Sequence, residues 1–373
     1  MRKRSLVLFV CVAALAACSS GGDGFLWPPA SGTIDLAAGD RDSDRVYIYY
    51  DILAGAAFGR QPDVILDQAG SGIDQPRSID IANNRLFVAN LEADTVTIWD
   101  DFLGLTNGQA PDVTLDSGGS LLDKPSDIRV HNNDLYVANQ DSNEVFIFRD
   151  VSTLSDGDAP DVMLDSTGSL IDDPIGLEVT DDALYVTNND NGTVTVYDDP
   201  GTLVTGQAPD VVLFVFEDPR RVFVFNNVLY VTTDDPQQGL LLAFSPANAL
   251  TTFQAPDFRL GAPLKLVDDP MAVTEVAGRL FVSNKDDDVP GVIGFNNPAT
   301  LTTSSEPSVL LPIPVVDVEE LENAGGGLWG ISDDFGFIWG YTNPSAIRTG
   351  DQPDITFFHP TMVQLKALRA VTR

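Results

Sequence analysis

Hydrophobic and polar positions alternate along this chain in short runs, and the runs recur. LYVANQDSNEVFIFRD, beginning at Leu135, sets a short apolar run on each side of a polar turn, which predicts two antiparallel strands joined as a hairpin. LFVANLEADTVTIWDD at Leu86 and LYVTNNDNGTVTVYDD at Leu184 repeat it at a spacing of 49 residues. Before each hairpin lies another alternation, SIDIA, DIRVH, GLEVT or RVFVF, followed by a short turn such as Asn83-Asn84. After it comes a third motif, seven times over: PDVILD at Pro62, PDVTLD at Pro111, PDVMLD at Pro160, PDVVLF at Pro209, PDFRLG at Pro256, PSVLLP at Pro307 and PDITFF at Pro353. Each unit therefore holds four short strands, a to d in chain order.

A four-stranded sheet of roughly 45 to 50 residues cannot bury both of its faces alone, and stacking such units around an axis is what stabilises them. The expected fold class is all-β: a seven-bladed β-propeller of four-stranded antiparallel blades. The ends of the chain predict how the ring closes. TIDLAAGDRDSDRVYIYYD, from Thr33, supplies only strands b and c, and PDVILD supplies d. The missing strand a is expected after Pro360, which is followed by Leu365, Leu368 and Val371 much as Pro125 is followed by Ile128 and Val130. One blade would then be built from both termini, leaving no open edge. The domain expected at residues 33–373 is this single propeller.

The repeat resembles NHL-type propeller repeats: the inner strand, the LYVA-type second strand and the VxIF-type third strand match well over residues 76–213 and more loosely elsewhere. That resemblance implies a fold, and it admits protein-binding scaffolds, RNA-binding modules and a few enzymes. The Asn-Arg that NHL repeats often carry before the third strand is here Ala93-Asp94, Asn143-Glu144 or Gly192-Thr193. Those losses of basic residues count against RNA.

The first 17 residues follow another pattern. Arg2, Lys3 and Arg4 precede an apolar run, Leu6 to Ala17, too short to span a bilayer, as in an export signal. Its end, LAAC, resembles the bacterial lipobox, which implies acylation of Cys18 and anchorage to the cell envelope through lipid. Ser19 resembles the outer-membrane sorting pattern of Gram-negative lipoproteins. Residues 18–32, rich in Gly, Ser and Pro, read as a tether. Cleavage before Cys18 would also remove Cys11, the only other cysteine, so no disulfide is expected.

Composition narrows the partners. The net charge is −34, from 21 basic and 55 acidic residues, and only nine of the acids are Glu. Asp favours turns where Glu favours helices, as many hairpins require. Such a balance excludes nucleic acid as a partner of the folded surface and suits a basic ligand or an envelope protein. A monomer is expected.

The acids fall at regular places. Two residues past the Asn of each hairpin, or past its replacement, stands Asp42, Glu92, Asp141, Asp190, Asp235, Asp286 or Asp334. Two residues before the Pro of strand a stands Asp74, Asp123, Asp172, Glu217 or Asp268. The b–c and d–a loops of an antiparallel blade emerge on one face, so all twelve should ring one mouth of the propeller. Asp at a hairpin tip also caps its own turn, yet a collective negative field follows whatever placed the residues there. The seven tip acids form the candidate binding face.

Catalytic equipment is sparse. His131 and His359 fall on opposite faces by the loop assignment, and neither a GxSxG nucleophile turn nor a phosphate-binding glycine pattern is present. Calcium is the one cofactor to consider, from the acid runs at Asp40–Asp44 and Asp286–Asp288, although Arg45 stands where an EF-hand needs Gly and strand follows where it needs helix. The enzymatic alternative is a calcium-dependent, lactonase-like hydrolase, with Asp80, Arg129 and Glu178 at equivalent places on the channel strands, followed by Phe223 and Thr274. The ordinary reading of these five is the polar lining of a channel, in a protein that binds or scaffolds.

Overall fold

The computed structural model describes residues 32–54, 60–215, 218–234, 239–261, 267–285, 291–311, 318–333, 336–359 and 361–373. The leader, Cys18 and all of the tether but Gly32 lie outside them. So do Glu217, Asp235, Asp286 and Asp334.

Seven four-stranded antiparallel sheets follow one another around a ring. In blade 3 the order from the axis outward is Pro125–His131, Asp134–Asn139, Glu144–Phe148 and Val162–Leu164. The Asn pairs close the a–b hairpins because both central residues of a tight hairpin turn adopt positive φ, which Asn tolerates. Asn132 and Asn133 have φ of 48° and 69°, and Asn83 and Asn84 have 53° and 61°.

The inner strands Leu365–Thr372, Pro76–Ala82, Pro125–His131, Pro174–Val179, Asp218–Phe225, Pro270–Val276 and Val318–Ala324 each pack on the next, and the last returns to the first. Blade 1 closes as expected: Leu365–Thr372 pairs antiparallel with Ile34–Asp40, with Ala370 opposite Leu36 and Leu368 opposite Ala38. Asp40, buried, tightens this seam by accepting the backbone N–H groups of Val363 at 2.7 Å and Gln364 at 3.2 Å.

The hydrophobic core is divided among the interfaces between blades. Phe87, Ile98 and Leu115 of blade 2, for example, interlock with Ile128, Val137 and Phe146 of blade 3, all buried. No single blade owns its core, which is why the unit had to repeat. Outer edges are covered too: the c–d loop of one blade donates an N–H to strand d of the blade before it, as from Gly108 to Ile65, Gly157 to Thr114 and Gly206 to Met163, each at 2.9 Å. Strand edges that would otherwise invite pairing are thereby satisfied.

The recurring rhythm of the hairpins also has a physical cause. Asn90, Asn139 and Asn188, fully buried at the ends of their b strands, accept the N–H groups of Asp74, Asp123 and Asp172 and so fix the approach to strand a. Asp44, Asp94 and Asn143 then reach to the next blade, accepting the N–H groups of Gln75, Lys124 and Asp173 at 3.0, 2.9 and 2.6 Å.

Candidate functional site

The channel is lined by the seven inner strands, and one level of it carries most of the charge. Register places Asp80, Arg129, Glu178, Phe223, Thr274, Glu322 and Arg369 at the same step of their strands. The structure thus brings together Asp80, Arg129 and Glu178 as the sequence indicates, and adds Glu322 and Arg369. Nearer the b–c mouth lie Asp127, Arg221 and Glu320, equivalent to one another on blades 3, 5 and 7.

Asp80 and Asp127 are committed to the fold. The Asp80 carboxylate is buried, accepts the N–H of Ile81 at 2.8 Å and the N–H of Val130 on the next blade at 2.7 Å, and forms an ion pair with Arg369, whose Nε lies 2.9 Å away. Asp127 accepts from Ser78 Oγ, from its neighbour Ile128, from Leu177 on the next blade at 2.8 Å and from Arg129 at 2.8 Å. Blades are separate sheets with no ladder between their inner strands, so these carboxylates supply hydrogen bonds that the backbone cannot. Both carboxylates are engaged on each of their oxygens.

The glutamates are held more loosely. Glu178 lies 4.0 Å from Arg129 Nε, and Glu322 is 3.4 Å from Arg369. Burial pushes Glu178 up to about 7 against the pull of Arg129 and Arg369. Burial likewise pushes Glu320 up to about 7 despite Arg221 at 2.7 Å, with the charge of Glu322 opposing ionisation. These two carboxyl groups are the channel groups poised near neutral pH.

One step further out, Glu319, Asp333, Lys366 and Lys285 converge. Lys366 Nζ is 2.5 Å from both Glu319 and Asp333, and Lys285 is 3.3 Å from Glu319. Burial raises Asp333, and the neighbouring Glu319 charge adds to that. The two lysines outweigh burial at Glu319 and hold it ionised.

At the rim, Asp42, Glu92, Asp141 and Asp190 are all exposed. They do not contribute equally, because Asp141 is paired with Lys124 at 2.8 Å. The acid run from Asp40 does not gather around a cation: Asp40 caps the N–H groups of Asp42 and Ser43 and the closing strand, while Asp44 caps Gln75. No group of three or more His, Cys, Asp or Glu side chains suited to a metal ion occurs among the described residues. His131 lies 3.0 Å from Asp181 at the end of an inner strand, and His359 bonds Thr361 at 2.7 Å beside the closing seam, so the two do not meet.

Sequence reading missed Glu319, Glu320, Glu322, Lys366 and Arg369 as channel residues because blades 7 and 1 lack the Pro that marks strand a elsewhere. Counting four positions from that Pro gives Asp80, Arg129, Glu178, Phe223 and Thr274. The same count from Val318 and Leu365 would have given Glu322 and Arg369.

No family model matches the chain, and no curated protein matches it by sequence. Solved structures do match in shape. A candidate 6-phosphogluconolactonase from Bacteroides fragilis superposes with a TM-score of 0.64 at 10% identity, covering 92% of this chain and 99% of that one. A second, from Bacteroides uniformis, gives 0.64 at 11%, covering 91% and 100%. A protein from Lactobacillus plantarum gives 0.61 at 14%, covering 91% and 99%. At such identities the likeness establishes the β-propeller fold alone.

Proposed function

We propose that this chain is an exported lipoprotein, acylated at Cys18 and tethered to the cell envelope, whose propeller binds a basic protein or another cationic ligand at its b–c mouth. The outer membrane is the expected location in a Gram-negative cell. The observation that carries the binding role is a contrast between two sets of carboxylates. Asp80 and Asp127 in the channel are saturated by backbone and arginine donors. Asp42, Glu92 and Asp190 at the rim are exposed and have no ion-pair partner among the described residues. Unpaired charges on one face sum to a field that steers an oppositely charged partner.

The test is binding of polylysine to the purified protein across a salt series. Affinity should fall steeply with salt, since exposed charges are screened over roughly 8 to 10 Å at physiological ionic strength. Changing Asp42, Glu92 and Asp190 together to amides should weaken binding far more than the same change at Asp181, Asp182 and Asp198 on the opposite face. Equal losses from both sets would refute the assignment of a face.

The hydrolase reading is favoured by one observation, the pair Glu178 and Glu320 poised near neutrality in the channel. The structural neighbours described as candidate 6-phosphogluconolactonases give it a substrate class to try. Lactone hydrolysis stimulated by calcium, magnesium or zinc, and lost in Glu178→Gln, would establish it. We expect no turnover.

A further inference from the structure

Each of the seven inner strands has an irregularity at one place. Pairing with strand b skips Lys366, Arg77, Ser126, Ile175, Arg220 and Glu319 in blades 1, 2, 3, 4, 5 and 7, and skips Met271 with Ala272 in blade 6. A bulge frees the residue from the ladder and re-aims its side chain. Seven such bulges at one level form a ring of re-aimed side chains just inside the b–c mouth.

The ring and its surroundings are cationic in an otherwise acidic protein. Glu319 and Asp333 are taken by Lys366 and Lys285, Arg220 by Asp234, and Arg221 by Glu320. Arg41 is held by Gln75 at 2.9 Å, a neutral partner. Among the described residues the Arg77 side chain has no hydrogen-bond or ion-pair partner, although it is half-buried. Among these described residues, six cations stand against four carboxylates. Burial and the repulsion of Arg221, Arg220 and Arg41 weaken the hold of Arg77 on its proton, with Glu319 opposing.

A guanidinium carries five donors in a planar fork, and half-burying it without an acceptor costs free energy that the fold gains nothing from. Elsewhere in this channel every buried charge is met by a partner, so the exception calls for one from outside. We propose that the bulge ring is a binding site for a small molecule bearing a carboxylate or phosphate group, which Arg77 grips and which Arg41, Arg220 and Arg221 attract. The site lies inside the acidic rim and does not depend on the rim's role. An anion would enter as a discrete ligand along the axis, whereas a polycation would cover the mouth.

The experiment is calorimetric titration of the purified full-length protein with inorganic phosphate and, separately, with succinate. One-site binding of at least one probe is expected, and the probe that binds identifies the oxyanion. Arg77→Gln should weaken it roughly tenfold or more, the worth of a charge-assisted contact. Arg348→Gln, the same charge change at an exposed position on the opposite face, should leave it unaltered. Thermal melting without ligand separates a binding role from a structural one: Arg77→Gln should melt at or above the parent, because it removes an unpaired half-buried charge. Absence of saturable binding, equal binding by Arg77→Gln, or a lowered melting temperature of that variant would each overturn the proposal. Loss of polylysine binding on neutralising the rim would leave it untouched.

Discussion

Asp80 offers the sharpest test of whether the channel is built for structure or for catalysis. Replacing it with Ala leaves the N–H groups of Ile81 and Val130 without acceptors and deprives Arg369 of its closest counter-charge. Each stranded N–H costs about 1 to 3 kcal/mol. Removing one partner of a buried ion pair costs about 3 to 5 kcal/mol, but Arg369 keeps Glu322 at 3.4 Å and its side chain is 32% exposed, so the low end or less applies. The two N–H groups together cost at least about 2 kcal/mol and the ion pair up to about 3 more, a large part of the roughly 5 to 15 kcal/mol that holds a typical domain together.

Urea unfolding at neutral pH would read this as a lowered midpoint with unchanged slope. Asp80→Asn keeps one acceptor oxygen but turns an NH2 group toward donors, so it should fall between parent and Ala. Glu322→Gln, on the same level but bound to no backbone N–H, should stay within about 1 kcal/mol of parent. A functional carboxylate held in a strained or repulsive setting behaves oppositely, because its removal stabilises the fold. An Asp80→Ala midpoint equal to or above the parent's would refute the structural reading and return Asp80 to the candidate catalytic groups.

The remaining predictions follow from other parts of the molecule. Deleting Val363–Arg373 removes Leu365 and Leu368, both buried, at about 1.5 to 3 kcal/mol each, together with a whole strand ladder; aggregation or a collapse of the melting temperature is expected, and unchanged melting would contradict the closed ring. Cys18→Ser should abolish labelling by radioactive palmitate and release the protein from the membrane fraction, whereas an unlabelled parent would dispose of the anchor. Glu178 and Glu320, pushed up to about 7 from 4.5, retain in the folded state protons that the unfolded chain releases, so their stabilising contribution is complete below about pH 4.5 and lost as pH rises through 7. Unfolding free energy should therefore fall between pH 5 and 7.5, by up to about 3 kcal/mol per group, and Glu178→Gln with Glu320→Gln should flatten that slope; an identical slope in the double variant would contradict the burial argument.

The periodicity made the blades legible because hydrophobic alternation and turn chemistry are local properties. The runs Leu135–Ala138 and Val145–Phe148 declare strands buried on both faces by their unbroken apolar character, and Asn132-Asn133 declares its turn by the φ values only such residues accept readily. Closure was legible for the same reason, since a missing strand at one end matched a surplus alternation at the other. Even departures can be matched. Phe214 stands where the motif ends in Asp in blades 1 to 3, and Phe253, at φ 64°, stands where blades 2, 3, 4 and 7 place Gly; in space the two rings stack with centroids 5.2 Å apart.

The site was less legible because its meaning lies in partners that are distant in sequence. Asp80 and Glu178 look equivalent along the chain, both acids four positions after Pro. One is saturated by donors from a neighbouring blade and from Arg369, nearly 300 residues away, and the other faces a looser arginine and titrates near neutrality. No count along the sequence separates them. The bulges illustrate the same limit: Arg77 directly follows a Pro, as Arg220 does, yet only Arg220 finds a carboxylate. In a propeller the repeat writes the same position seven times and the ring brings all seven copies to one axis, so an unmatched member is conspicuous once the copies are compared across the channel. That comparison adds Arg77, a cation inside the acidic rim, to the residues whose surroundings ask for a ligand.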